Sequence, residues 1–252
     1  MRALEVFHSI RLLPGAWIIL RLDGRGFSRF TESRCEKPFD LQFHGWMVHT
    51  ARAVLEDLQG LYAYTESDEI SILLAREWAL FDRELEKLVS LSAGTASAAF
   101  SLDCGARVQF DSRALLCAED EQVLDYFRWR QTDASRCALN GWCYWTLRKA
   151  GKSVTEATRE LQGKGVAFKN ELLFQQGINF NDLPLWQRRG SGLHWEVYER
   201  ESYNPKLNQK VMATRRRIKL DEELPLGEEY AALIERLLRV RELPSNVKAQ
   251  PG

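Results

Sequence analysis

The 252-residue chain is 45% hydrophobic and 28% charged, enough apolar material for one substantial core plus an appended segment, and not the composition of a disordered chain. Thirty-five basic residues balance thirty-five acidic ones, so net charge gives no argument for nucleic acid, although an even total can conceal a polarised surface. No apolar run approaches the roughly 20 residues that cross a bilayer, and Ala16–Leu20 is too short for a signal-peptide core, so the sequence reads as a cytoplasmic protein with no membrane partner.

In chain order, Ala16–Leu22 reads as a buried strand, broken by Asp23-Gly-Arg-Gly26. From Asp40 to Leu58 the residues Phe43, Met47, Ala51, Val54, Leu55 and Leu58 recur at helical spacing, with Asp40 as N-cap. Leu61–Thr65 and Ile70–Leu74 are apolar runs either side of Glu66-Ser-Asp-Glu69, the pattern of a hairpin. Phe81–Phe100 is expected to be helical and Gly105–Phe110 a fourth strand. The order strand–helix–strand–strand–helix–strand predicts an α+β, ferredoxin-like antiparallel sheet with two helices on one face. A long helix over Glu119–Lys149 follows, then helical pieces at Ser153–Leu161 and Ala167–Gln175. Past Trp195 the chain changes character: Lys206, Lys210, Arg215, Arg216, Arg217 and Lys219 occur with no acidic residue among them, before a last amphipathic helix near Gly227–Val240 and a polar tail. We divide the chain into a catalytic unit over 1–135 and a helical and C-terminal extension over 136–252, in one continuous globule. The eight tryptophans are expected in the core, Trp142 and Trp145 on the apolar face of the long helix.

Five scattered cysteines (Cys35, Cys104, Cys117, Cys137, Cys143) contain no Cys-x-x-Cys pair and read as reduced thiols. Of the four histidines only His44 and His49 stand near one another, so a structural zinc is not expected. The chemistry-bearing candidates are carboxylates. Asp23 ends a buried strand before a glycine-rich turn, and Ser67-Asp68-Glu69 sits at the hairpin tip. Taken singly, each is an ordinary turn residue. On the predicted sheet the first strand and the hairpin are neighbours, which brings Asp23 and Asp68 to one corner. Hard cations such as Mg2+ take one or two carboxylates plus substrate phosphates. A pair of such ions about 4 Å apart activates an attacking hydroxyl and stabilises a leaving oxygen. The glycines after Asp23 let backbone amides approach a triphosphate.

Four motifs extend this reading: Arg21-Leu-Asp-Gly-Arg-Gly-Phe27, Ser67-Asp-Glu69, Trp129-Arg-Gln-Thr-Asp133 and Lys169-Asn-Glu-Leu-Leu-Phe174. In this order and spacing they resemble the tRNA-histidine guanylyltransferases and their like proteins, the family of 3′–5′ polymerases, over roughly residues 4–195. The resemblance implies a polymerase-type palm, and two Mg2+ held by Asp23, Asp68 and the Gly24 carbonyl. It implies a triphosphate cradle of Arg25, Gly26, Phe27, Ser28 and Ser67, with Lys37 on a nucleotide phosphate and Glu69 beside the metal site. Arg130, Asp133, Lys169 and Asn179 match positions that serve a second nucleotide and the RNA end. For each of them a structural ion pair or cap is the rival reading. ATP and GTP are implied as substrates, tRNA as partner and a homotetramer, a dimer of dimers, as assembly.

Where eukaryotic guanylyltransferases carry a histidine and an asparagine-rich run, this chain has Ala134-Ser-Arg-Cys-Ala-Leu-Asn140, which resembles the bacterial and archaeal like proteins. The resemblance therefore implies template-dependent repair of 5′-truncated tRNA over guanylate addition to tRNA-histidine. The basic segment is a candidate contact for RNA phosphates, or else a solvated connector or oligomer surface. Two other functions share parts of the pattern: a two-metal nucleotide cyclase, and a non-catalytic ferredoxin-like RNA-binding module. The latter needs exposed aromatics on central strands, and Ile70–Leu74 has none.

Overall fold

The computed structural model describes Met1, residues 4–204 and residues 208–239. Six strands, β1 Trp17–Gly24, β2 Tyr62–Glu66, β3 Glu69–Leu74, β4 Phe110–Cys117, β5 Ser191–Asn204 and β6 Gln209–Asp221, form one sheet in the order β4-β1-β3-β2-β5-β6. Every adjacent pair is antiparallel. Its first four strands carry the expected ferredoxin-like order, with α2 (Leu41–Asp57) and α3 (Leu85–Cys104) as the two crossover helices. Asp40 caps α2 as predicted, its Oδ1 accepting from the Phe43 amide at 2.8 Å.

Both faces of the sheet are covered. Ile18, Leu20, Leu22, Ile70, Ile72 and Leu74 pack with α2 and α3. Trp17, Ile19, Tyr62, Tyr64 and Leu73 pack with α4 (Asp120–Lys149) and α8 (Gly227–Leu238). A strand buried on both sides has no polar face to alternate with, so β1 reads as a continuous apolar run. The extension thus supplies the second layer of the catalytic sheet, and α4 runs without interruption through residue 135. Helices α5 (Val154–Leu161) and α6 (Val166–Phe174) pack on the C-terminal half of α4 around Leu139, Cys143, Leu147, Ala157 and Leu173.

Several boundaries differ from those expected. The fourth strand is Phe110–Cys117, because Gly105 ends α3 in the left-handed region (φ 64°) and the strand starts only after a short linker. Its edge position leaves alternate residues exposed, which hid its apolar signal. Helix α3 begins at Leu85 rather than Phe81, since Phe81, Asp82 and Arg83 all have positive φ in a preceding 3-10 turn. Short helices α1 (Phe27–Glu32) and α7 (Leu185–Arg189) carry too few turns to show a period. The largest difference is the basic stretch, where β5 and β6 form a long ribbon. Only Ser191–His194 also pairs with β2, so the distal ribbon extends past the body of the sheet with polar residues on both faces. Lys206 and Val240, and the tail after it, lie outside the described residues. Among the described residues no helix is long and apolar enough to cross a membrane.

Candidate active site

β1 carries Asp23 to the sheet corner, in register with Glu69 of β3 and Asp111 of β4. The Gly24 amide donates to the Asp68 carbonyl at 3.0 Å, which fastens the end of β1 to the β2–β3 turn. The two predicted carboxylates are therefore brought to one corner. Burial pushes the Asp68 carboxyl above the ordinary carboxylate range and the charge of Asp23 adds to it, against its own backbone amide, the Ser67 hydroxyl and Lys37. A buried carboxylate raised by a second one is a place where a cation relieves both. Asp111 does not join them; it is exposed and paired with Arg113 at 2.9 Å. Among the described residues no group of three or more His, Cys, Asp or Glu side chains could hold a metal. The donors at this corner are thus two carboxylates with backbone oxygen, an all-oxygen set of the type Mg2+ prefers when phosphates complete its shell.

Both glycines of the turn have a geometric reason. A Cβ on Gly24 would overlap the ring of Phe27, which is buried among Phe43, Phe100 and Phe110. Gly26 has φ 73° and starts α1 with no side-chain cap, leaving the first-turn amides without a side-chain acceptor. The Arg25 amide, by contrast, donates to the Gln109 carbonyl at 2.8 Å.

Beside this corner lies a cavity of about 340 Å3. Ser28, Lys37, Ser67 and Asp68 line it together with the rings of Phe39, Trp145 and Trp186. Ala134, Cys137, Ala138 and Gly141 of α4 recur at spacings of three and four and leave the space open. The Lys37 ammonium donates to Thr31 Oγ1 at 2.6 Å and stands 5.8 Å from the centre of the Trp145 ring. Burial lowers its pKa. His44 stacks on Trp186 at 4.2 Å, and its Nε2 is 2.8 Å from Glu222. Trp145 is therefore a wall of the cavity, and Trp142 is half-buried against Phe39. The expectation of a tryptophan core holds for Trp17 and Trp78, which are buried; Trp129 is half exposed. The sequence reading places Trp145 in the core, notes His44 only for its spacing from His49, and assigns neither of them, nor Trp186, to a cavity. Only Trp145 shares the long helix with the small residues Ala134, Cys137, Ala138 and Gly141; His44 and Trp186 come from α2 and α7.

Of the polar positions assigned to a second nucleotide or RNA end, Arg130 is in a different place. Its side chain is 7% exposed and its guanidinium contacts Glu66, Glu69 and Asp133. Its Nη1 and Nη2 donate to these three carboxylates, and it does not line the cavity. Asp133 also pairs with Arg136. Lys169 is half-buried on α6, and Asn179 caps a 3-10 turn, accepting from the Asn181 amide at 3.1 Å and donating to Asp182 at 2.9 Å. Neither lines the cavity beside Asp68. Asn179 borders a separate hollow with Asn170 and Phe174. Along the ribbon, Lys210 pairs with Glu201 and Arg217 with Glu196, while the Arg216 guanidinium lies 4.4 Å from the centre of the Trp195 ring. Arg215 and Lys219 stand across from Tyr198 and His194.

The family model for tRNAHis guanylyltransferase matches residues 1–127, and the model for the C-terminal domain of the same family matches 121–232. The chain belongs to the tRNA-histidine guanylyltransferase family. A probable tRNA(His) guanylyltransferase of Dictyostelium discoideum is 36% identical over 193 residues, 71% of this chain and 75% of that protein. tRNA(His) guanylyltransferase 2 of Arabidopsis thaliana is 37% identical over 198 residues; the match covers 73% of this chain but 36% of the plant protein. The chain thus spans about a third of the plant relatives it matches. A bacterial tRNA(His) guanylyltransferase-like protein in complex with ATP superposes with a TM-score of 0.74 at 27% identity, over 94% of this chain and 96% of that one. The same kind of protein in complex with GTP gives 0.70. The Saccharomyces cerevisiae guanylyltransferase gives 0.71 at 27% identity, over 77% of this chain and 90% of that one. The family palm, expected from motif order, is the sheet found here.

Proposed function

We propose that this chain is a nucleotidyltransferase that adds nucleotides to the 5′ end of tRNA, growing the RNA in the 3′–5′ direction, with template-dependent repair of truncated ends as its main role. One observation carries the reading: Asp23 and Asp68 meet beside a cavity lined by Ser28, Lys37 and Ser67 and by the rings of Phe39, Trp145 and Trp186. Such a cavity fits a nucleoside triphosphate, with hydroxyls and an ammonium for its phosphates and aromatic rings for its base.

In the first step an oxygen of the RNA 5′-monophosphate attacks the α-phosphorus of ATP, forming an adenylylated end and releasing pyrophosphate. In the second, the 3′-hydroxyl of an incoming nucleoside triphosphate attacks the activated 5′-phosphorus and AMP leaves. A 5′-triphosphate end enters directly at the second step, and pyrophosphate leaves in place of AMP. Asp23, Asp68 and the Gly24 carbonyl would hold two Mg2+, which lower the pKa of the attacking hydroxyl and offset charge on the triphosphate. Lys37, half-buried in the cavity lining, orients a phosphate. The uncapped start of α1 offers amides to the same phosphates. Asp133, Lys169 and Asn179 are assigned to the second nucleotide and RNA end, and the ribbon cations Lys210, Arg215, Arg216, Arg217 and Lys219 to RNA phosphates. The unit over 1–135 holds the chemistry and 136–252 the RNA and assembly contacts, in a cytoplasmic homotetramer.

The test incubates 5′-truncated tRNA with labelled nucleoside triphosphates and Mg2+. Label at the 5′ end is expected; label only at the 3′ end, or a cyclic nucleotide, overturns the reading. Asp23→Ala and Asp68→Ala should each abolish incorporation with the fold retained by circular dichroism.

A further inference from the structure

The hairpin that presents Asp68 is built against its own electrostatics. Glu66 and Glu69 are its closing pair, directly opposite one another, and like charges in that position repel. Both side chains are nearly buried, at 10% and 13% exposure, so water does little to screen them. Between them the turn holds Ser67 at φ 47°, a conformation that non-glycine residues resist. Left alone, these terms open the hairpin at the point where Asp68 has to stand.

One side chain contacts both carboxylates. Arg130 reaches from α4, on the far face of the sheet, and its Nη2 donates to Glu66 Oε1 at 2.5 Å and to Glu69 Oε2 at 3.0 Å. Its Nε lies 2.7 Å from Glu69 Oε1, and its Nη1 donates to Asp133 at 3.2 Å. The fork therefore spans both legs of the hairpin and anchors them to its own helix, a geometry Lys cannot reproduce. Trp129 lies over Arg130, 4.6 Å from ring centre to guanidinium carbon, and over Arg21 at 5.8 Å. Arg21 in turn stands 3.9 Å from Glu69.

We propose that Arg130 is a positioning residue: it clamps Glu66 and Glu69 together so that the turn between them holds Asp68 against Asp23 in the geometry that receives divalent cations. This rests on the reading of Asp68 as a metal ligand and deepens it. It also gives Glu69 a role, as the clamp's second handle beside the metal corner.

Mn2+ binding to the full chain, followed by paramagnetic resonance in the presence of ATP, reads the clamp without turnover. Outer-shell partners of metal ligands are worth about 10–100-fold in metal affinity or rate. Arg130→Met is expected to weaken Mn2+ binding about tenfold and to lower the rate at saturating ATP and RNA about 100-fold, with the KM for RNA unchanged. Arg130→Lys, which keeps the buried charge and loses the fork, should fall between Arg130→Met and wild type, and carries the same comparison in a better-tolerated fold. Adding Glu66→Gln to Arg130→Met removes the uncompensated charge and should recover part of the Mn2+ affinity. Unchanged Mn2+ affinity in folded Arg130→Met and Arg130→Lys, or a rise in the KM for RNA at constant maximal rate, overturns the clamp. Wild-type protein that binds Mn2+ and ATP yet adds nothing to a 5′ end overturns the proposed reaction instead; the Mn2+ comparison still decides the clamp.

Discussion

The clamp under Asp68 and the ribbon beyond the sheet use the same pairing, arginine with glutamate, at nearly the same distance, and to different ends. Arg130 lies 2.5 Å from Glu66 with both side chains at 10% exposure or less; Arg217 lies 2.7 Å from Glu196 with side chains 63% and 33% exposed. Distance alone would rank them together. Burial separates them, because water and salt screen the ribbon pair and leave the clamp pair unscreened. Burial pushes the Glu66 carboxyl up, and the Arg130 guanidinium pulls it back toward the charged form. The arginine is thus what keeps that carboxylate in use as a handle. The hairpin fixes geometry with buried charge; the ribbon displays charge to solvent.

The sharpest way to break this contrast is to make one substitution in both places. Removing one partner of a buried pair strands the other and costs about 3–5 kcal/mol, whereas an exposed pair is worth about 0–1 kcal/mol. Arg130→Met should lower unfolding stability by an amount in the first range, and Arg217→Met in the second, both measured by urea denaturation. Equal losses would mean that the ribbon is as ordered and desolvated as the hairpin.

The same contrast explains what could be read in the residue order. The hairpin was legible because apolar runs flank a short polar turn, and Asp23 and Asp68 could be placed together from topology alone. Arg130 was not, since a Trp-Arg-Gln motif on a helix carries no mark of which way the arginine faces. Its partners lie far off in sequence, at the closing pair of a hairpin. The ribbon was illegible for the opposite reason. Its two strands stabilise each other mainly through backbone pairing beyond residue 195, so no apolar alternation was needed to form them, and the basic side chains masked a strand. The cavity wall fell between these cases. Trp145 lies on a correctly predicted helix, but only the arrival of α7 and the α1–α2 loop turns its face into a lining rather than a core.

A middle-sized effect sharpens the solvent side of the comparison. If Arg215, Arg216 and Lys219 contact RNA phosphates, replacing all three with Gln should weaken tRNA binding and reduce the slope of log affinity against log salt by about 2–3. The KM for nucleoside triphosphate should not move. Filter binding across a salt series measures the slope, and an unchanged slope would leave the ribbon as an assembly or connector element.

The smallest effect comes from where the two regions meet. His44 lines the cavity, stacks on Trp186 and bonds to Glu222 just beyond the end of β6. Burial lowers its pKa below the usual value near 6.5, and the Glu222 contact only partly opposes this. The neutral ring is therefore favoured in the folded state. The sign follows: its contribution is fully present above the unfolded value and is lost as pH falls through the folded one. Stability is therefore expected to fall between pH 7.5 and 5.5. Other groups titrate in that window, His194 among them, whose pKa burial also lowers. The readout is therefore the difference between wild type and His44→Gln in urea midpoint at the two values. Wild type should lose slightly more on acidification, and the gap should close in the variant. A larger acid loss in His44→Gln than in wild type would mean that the charged ring, held by Glu222, is the form the fold prefers, and that this junction behaves like the clamp rather than like a buried neutral contact.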